Sequence, residues 1–251
     1  MPTVATTATS PAKERRQAER RFFVAMALLI VASVFLGFAK SYFLAGMFRA
    51  HLPSLIIHIH GAVFTSWILL LIVQTSLVSA GRVDIHRRLG GFGFCLAPLM
   101  IVMGSLAATD LLVRNDAAMG VDAKTFYAAS LGDMFIFATL IFFAFRERSN
   151  PAAHKRLILI ATITLLGAAI NRWPFSIILV HPILINLIDD AFLLPLIAYD
   201  LWSMRRIHRA TIWGGLFLIA VQQLELPIGS TALWQSFATW ALRHGRFIHG
   251  I

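Results

Sequence analysis

Residues 53–80 read PSLIIHIHGAVFTSWILLLIVQTSLVSA. About 20 apolar residues suffice to cross a bilayer as a helix, and this run is longer. It nevertheless carries His58, His60 and Gln74 where lipid would prefer hydrocarbon. On a helix, His60, Trp67 and Gln74 recur every seven residues and form one stripe. His58, Gly61 and Thr65 form another on nearly the opposite side. A helix that is polar on two sides predicts few contacts with lipid, so the segment is expected to be the central helix of a bundle, enclosed by the others.

The flanking chain supports the membrane reading. Of 251 residues, 58% are hydrophobic and only 14% charged, and the mean hydropathy is +0.75, well above the apolar share of soluble domains. The formal charge of +10 would suit a nucleic-acid partner, but its distribution excludes one. The Lys and Arg residues fall in short clusters between apolar runs, as orientation signals beside phospholipid headgroups do, and no basic face is left for a duplex. The single cysteine, Cys95, rules out an intramolecular disulfide.

Seven spans are expected at about residues 22–42, 53–80, 89–109, 126–145, 157–173, 183–203 and 210–226, so the fold class is an all-α integral membrane bundle. Residues 1–21 read as a basic cytoplasmic tail, 22–228 as the transmembrane domain and 229–251 as an interfacial, Trp-rich segment. Residues 81–88 read as a short basic turn, and Pro227 as the stop of the last span. Fifteen of the 22 basic residues lie on one side of this arrangement: Lys13, Arg15, Arg16, Arg20 and Arg21, then Arg82, Arg87 and Arg88, then Arg146, Arg148, Lys155 and Arg156, then Arg205, Arg206 and Arg209. The bias predicts the N-terminus inside and the C-terminus outside.

Depth can then be assigned to the intramembrane polar groups. The outer half collects His58 and His60, Asp133, Asn171 and Arg172, then Asn186, Asp189 and Asp190, then Gln222, Gln223 and Glu225. His51 and His181 read as interface residues. Asp200 falls near the inner surface, solvated or paired with an arginine. An ionisable group at membrane depth costs a few kcal/mol, of order 2.5–3.5 on insertion scales, unless paired or wet. A polar cavity open to the outer face is therefore expected, with Asp133, Arg172, Asp189, Asp190 and Glu225 as proton-relay or catalytic groups. His58 and His60 are the candidate metal ligands.

The inner surface repeats a pattern: His86-Arg-Arg-Leu-Gly and His154-Lys-Arg-Leu each open a new span. Beyond headgroup anchoring, these histidines are candidate axial ligands of a b-type haem or another metal. The set His58-x-His-Gly-x-x-Phe-x-x-Trp67, Gln74, Gly81-Arg-x-x-x-His86-Arg-Arg-Leu-Gly and Ala153-His-Lys-Arg-Leu resembles uncharacterised bacterial multi-pass membrane families. It is loosely similar to cytochrome b561-like or ferric-reductase-like helix bundles. Those families carry no settled activity to transfer, and the resemblance implies a bacterial inner membrane and at most one haem, with a quinone or small-molecule substrate as the partner of such a redox reading. The chain departs from a two-haem pattern, because Gln74 stands where the inner partner of His60 would be and the fifth span lacks an outer histidine.

Other chemistries lack their residues. A retinal protein needs a Schiff-base lysine late in the chain, and none follows Lys155. There is no His-Glu-x-x-His, no Glu-x-x-His, and no nucleotide loop around Gly90-Gly-Phe-Gly. Two functions remain from the sequence: redox chemistry on a histidine-bound metal or haem, and proton-coupled transport of a small solute through the outer acids. A non-catalytic assembly subunit is the third reading.

Overall fold

The computed structural model describes residues 11–48, 54–116, 120–175, 177 and 183–246, and the regular structure among them is entirely helical. Arg49, His51, His181 and Pro182 lie outside the described residues. The helices are α1 (Pro11–Phe38), continued by a π turn (Ala39–Phe43), α2 (Ala45–Phe48), α3 (Leu55–Ser79), α4 (Val83–Val113), α5 (Ala123–Arg146), α6 (Pro151–Ile163), α7 (Gly167–Ile170), α8 (Ile183–Ala191), α9 (Leu193–Met204), α10 (Arg209–Gly229) and α11 (Ala232–Gly245). Six helical stretches are long and apolar enough to cross a membrane: Lys13–Phe43, α3, α4, α5, Pro151–Ile170 and α10. The chain is thus a multi-pass helical membrane bundle.

Boundaries differ from the expected ones for local reasons. The 81–88 segment is a turn only at Gly81 and Arg82. Gly81 takes a φ of +76°, open to glycine at little cost, and α4 starts at Val83. His86 is therefore a helical residue. At 1.5 Å per residue, the 31 residues of α4 extend about 46 Å, so its first turns overhang a hydrocarbon core of about 30 Å. Pro227 does not stop α10, which continues to Gly229. So near the end of a helix, the missing N–H frees only the Gln223 carbonyl. The expected sixth span is divided at Phe192 into α8 and α9. Pro195 explains the division, since it lacks an N–H and its ring crowds the Ala191 carbonyl four residues back.

The central position expected for residues 53–80 is overturned. Of the membrane-length window in α3 only 17% is buried, against 67% for the Pro151–Ile170 stretch. Leu55, Ile59, Leu69 and Val73 form an exposed stripe suited to lipid. The core lies instead among α1, α4, α5, α6, α9 and α10, around Ile30, Met100, Ile136, Phe137, Ile160, Ile163, Leu196 and Leu218. From α3 only Trp67 and Leu71 enter it, and the Trp67 indole N–H donates to Thr162 Oγ1 at 3.2 Å. A helix can be polar on two sides and still be peripheral when each polar side chain finds a neighbour at its own level.

Two ends can be distinguished. At the basic end, the Arg20 guanidinium donates to the Ser79 carbonyl at 3.0 Å and Phe22 stacks on Tyr199. At the opposite end, the Trp173 indole donates to the Ser33 carbonyl at 3.1 Å. There α11 lies across α4 and α5, burying Ala238 and Ala241 against Ala108, Leu112, Ala123 and Tyr127. Trp234 donates to the Lys124 carbonyl at 2.8 Å, while Leu233 and Trp240 stay exposed.

Candidate functional site

Away from the basic end, α5, α8 and α10 each contribute one carboxyl to a common place. Asp133, Asp189 and Glu225 are close enough for mutual electrostatic interaction. Asp189 and Glu225 are buried and Asp133 half-buried. Gln222, one turn before Glu225 on α10, donates from Nε2 to Asp189 Oδ2 at 3.0 Å. The close approach of α5 to α10 depends on Gly132, because a side chain there would run into the Glu225 carboxyl, with Cδ and Cγ each 2.7 Å from the added carbon. Asp189 Oδ1, Glu225 Oε1 and Gln222 Oε1 are buried without a hydrogen-bond partner among the described residues. No Lys, Arg or His among the described residues is an electrostatic neighbour of the three acids. In a lipid-embedded interior, the charge of such a cluster is met by protons or by a cation from outside.

Of the other outer-half candidates, few join it. Asp190 is half-buried, next to Asp189, and its Oδ1 has no hydrogen-bond partner among the described residues. Arg172 is exposed; it donates to the Ala168 carbonyl at 2.7 Å and lies 5.0 Å over the Phe38 ring. It therefore does not neutralise the acids. His58 and His60 are not brought together. The His58 Nδ1 lies 3.4 Å from the Tyr42 hydroxyl of the π turn, whereas the His60 ring packs 4.1 Å from Phe64, beside the Met103 backbone of α4, its Nδ1 without a hydrogen-bond partner among the described residues. Two residues apart on a helix, they are about 200° apart around its axis. Among the described residues there is no group of three or more His, Cys, Asp or Glu placed to hold a metal ion.

At the basic end, the motif His154-Lys155-Arg156 points in three directions. His154 Nδ1 meets the Ala144 carbonyl at 2.9 Å, fixing its ring against α5, and His86 on α4 lies within its electrostatic reach. Gln74 reaches the same region over Gly90, its backbone beside the His86 ring, and both His86 Nδ1 and Gln74 Oε1 are buried without a hydrogen-bond partner among the described residues. Lys155 pairs with Glu19 of α1. Arg156, 2% exposed, donates through Nε and Nη2 to Asp200 Oδ1 at 3.0 and 2.5 Å and through Nη1 to the Ala152 carbonyl at 2.7 Å. Asp200 Oδ2 accepts from the His208 backbone N–H at 3.0 Å and the Thr211 hydroxyl at 2.6 Å. This network ties α6, α9 and the start of α10 together. Of the two states expected of Asp200 at this end, solvated or arginine-paired, the paired one is found, fully buried among protein groups.

Gly132, Arg156 and Thr211 were not legible as site residues. Arg156 looks like one more headgroup arginine, and only the shared face of Asp189 and Asp200, eleven residues apart, hints that Asp200 turns inward. Compared with known protein families, curated proteins and solved structures, the chain matches none.

Proposed function

We propose that this membrane bundle carries protons, coupled to movement of a small solute, through the cluster of Asp133, Asp189 and Glu225. One observation carries the reading: three carboxyls from three helices meet without a cation among the described residues. Protons that come and go satisfy such a group at little structural cost. The break in the hydrogen-bond ladder between α8 and α9 falls at Phe192, just past Asp189, where the backbone keeps helical angles (φ −65°, ψ −16°), so the weakened point of the span lies beside the cluster. The test is purified protein in liposomes loaded with a pH-sensitive dye, challenged with a panel of small solutes. Asp189→Asn and Glu225→Gln are expected to abolish solute-driven pH change while Asp190→Asn retains it. Unchanged proton-coupled uptake in both cluster variants, for every solute that the wild type moves, sinks the proposal.

A second reading is favoured by the histidine pair. His154 Nδ1 is taken by the Ala144 carbonyl, the outer-shell contact that orients a ligating imidazole and leaves Nε2 for a metal. His86 is its neighbour, with an Nδ1 that has no hydrogen-bond partner among the described residues. A b-type haem or transition metal on His86 and His154 would make the protein a membrane oxidoreductase exchanging electrons with a quinone, in keeping with the loose likeness to cytochrome b561-like bundles. Detergent-purified protein with no Soret band and no stoichiometric iron, copper or zinc removes this reading. In either case we place the basic end in the cytoplasm of a bacterial inner membrane, on the positive-inside bias. A reporter fused after Arg246 that is active only inside the cell contradicts that orientation.

A further inference from the structure

A groove of about 1020 Å³ opens at the basic end between α5, α6 and α10, distinct from both sites above. This is as large as the roomiest small-molecule pockets. Its walls are apolar, formed by Leu140, Phe143, Leu157, Trp213 and Phe217. Its two rims differ in charge. The turn between α9 and α10 carries Arg206, His208 and Arg209, and the turn between α5 and α6 carries Glu147 and Asn150.

The arginine rim is built rather than incidental. Arg205 holds a left-handed φ of +58°, and the turn after it is pinned from below, where Asp200 takes the His208 N–H and the Thr211 hydroxyl and is itself held by Arg156. Arg206 and Arg209 are exposed and have no carboxylate partner among the described residues. Burial, and then the nearby charge of Arg156, push the His208 imidazole below its ordinary range, so at neutral pH the rim's charge is that of the two arginines. The positive end of the α10 dipole adds to it. On the facing rim the Glu147 carboxylate holds the Asn150 amide at 3.2 Å.

We propose that this groove is a specific site for an ethanolamine phospholipid. The acyl chains lie along the Phe143, Trp213 and Phe217 walls, the phosphate meets Arg206 and Arg209, and the primary ammonium meets Glu147. Opposite charges on opposite rims match a zwitterionic headgroup whose cationic end can donate hydrogen bonds. Choline lipids lack those donors, and glycerol lipids lack the cation. The site does not depend on either function proposed above.

The test uses the full chain in nanodiscs of defined lipid, released and weighed by native mass spectrometry. Phosphatidylethanolamine is expected to be retained in preference to both phosphatidylcholine and phosphatidylglycerol. Arg206→Gln with Arg209→Gln is expected to lower retention of every phospholipid about tenfold to thirtyfold, at roughly a tenfold change per 1.4 kcal/mol. Glu147→Gln is expected to abolish only the preference over phosphatidylglycerol. Arg148→Gln, on the same surface but outside the groove, serves as the control and should change nothing. Equal retention of the three lipids, or an equal loss in the Arg148→Gln control, overturns the proposal. A second measurement works without the arginine variants: phosphatidylethanolamine with brominated chains, diluted in phosphatidylcholine, should quench Trp213 beyond its mole fraction, with Trp213→Phe as the reference. Quenching in simple proportion to mole fraction also overturns it.

Discussion

Two buried acid sites in this bundle are built from the same side chains to opposite ends. Around Asp200 every oxygen has a donor: Arg156 twice on Oδ1, and the His208 N–H and Thr211 hydroxyl on Oδ2. Around Asp189 one oxygen accepts from Gln222, the other has no partner among the described residues, and the nearest charges are two more carboxyls. A fully paired buried charge locks helices together, whereas breaking the pairing leaves a charge that water cannot reach. A cluster of acids with open lone pairs locks nothing and is poised to accept what arrives. The contrast separates architecture from function within one protein.

The strongest way to break the comparison is Arg156→Met, which strands Asp200 in the interior. Unfolding in detergent should show a loss of about 3–5 kcal/mol. Adding Asp200→Leu should restore only part, because the His208 N–H and the Thr211 hydroxyl then lose their acceptor. A loss below about 1 kcal/mol would mean that the network is not what joins α6 to α9. Next comes Gly132→Ala, which drives a methyl into the Glu225 carboxyl and should cost about 1–3 kcal/mol. Combined with Glu225→Ala the cost should shrink, and an additive double variant would show that the two residues do not touch.

A smaller effect tests the edge of α5. Asp122 caps this helix, accepting from the Thr125 hydroxyl at 2.6 Å and from the Lys124 and Thr125 backbone N–H groups at 3.0 and 3.1 Å. The Thr125 hydroxyl first, then those N–H groups, hold its carboxyl below the usual carboxylate range. A depressed folded-state value contributes stability above the unfolded value, about pH 3.9, and loses it as pH falls further through the folded value. Asp122→Ala should cost about 1 kcal/mol at neutral pH, and the cost should shrink as pH falls through the folded-state value, so a loss that does not change on acidification would contradict the cap. The smallest effect sharpens the contrast most. Asp189→Asn should leave thermal stability unchanged or raised, since an amide keeps the Gln222 contact without a charge to bury. Destabilisation comparable to that of Arg156→Met would make the two sites equivalent.

Much of the architecture was legible before any coordinates. Runs of hydrocarbon broken by basic turns place α3, α5 and α10 to within about three residues, whereas α1 and α4 begin well before the expected spans and α6 ends well short of its own; Asp133, Asp189 and Glu225 read as groups that lipid could not hold. His86 and His154 were likewise paired on sight, by their matching positions at helix starts. What escaped was of two kinds. Backbone details turned on single residues: Pro195 divides a span that hydropathy alone makes continuous, and Pro227 fails to end one. Side-chain partners escaped because Arg156 and Arg148 are the same residue type a few positions apart, yet one is buried and the other exposed.

By itself, then, the amino-acid order determined that this chain is helical, that it lives in a membrane, and which polar groups hydrocarbon could not hold unpaired, because hydropathy and helix period are properties of each segment alone. Only the packed bundle decided that α3 lies at the periphery, that Arg172 and the paired histidines of α3 stand apart from the acids, and that Asp200 is closed while Asp189 is open. Those outcomes depend on how each helix is rotated about its axis against its neighbours. A stripe of polar residues constrains that rotation without choosing which neighbour it meets.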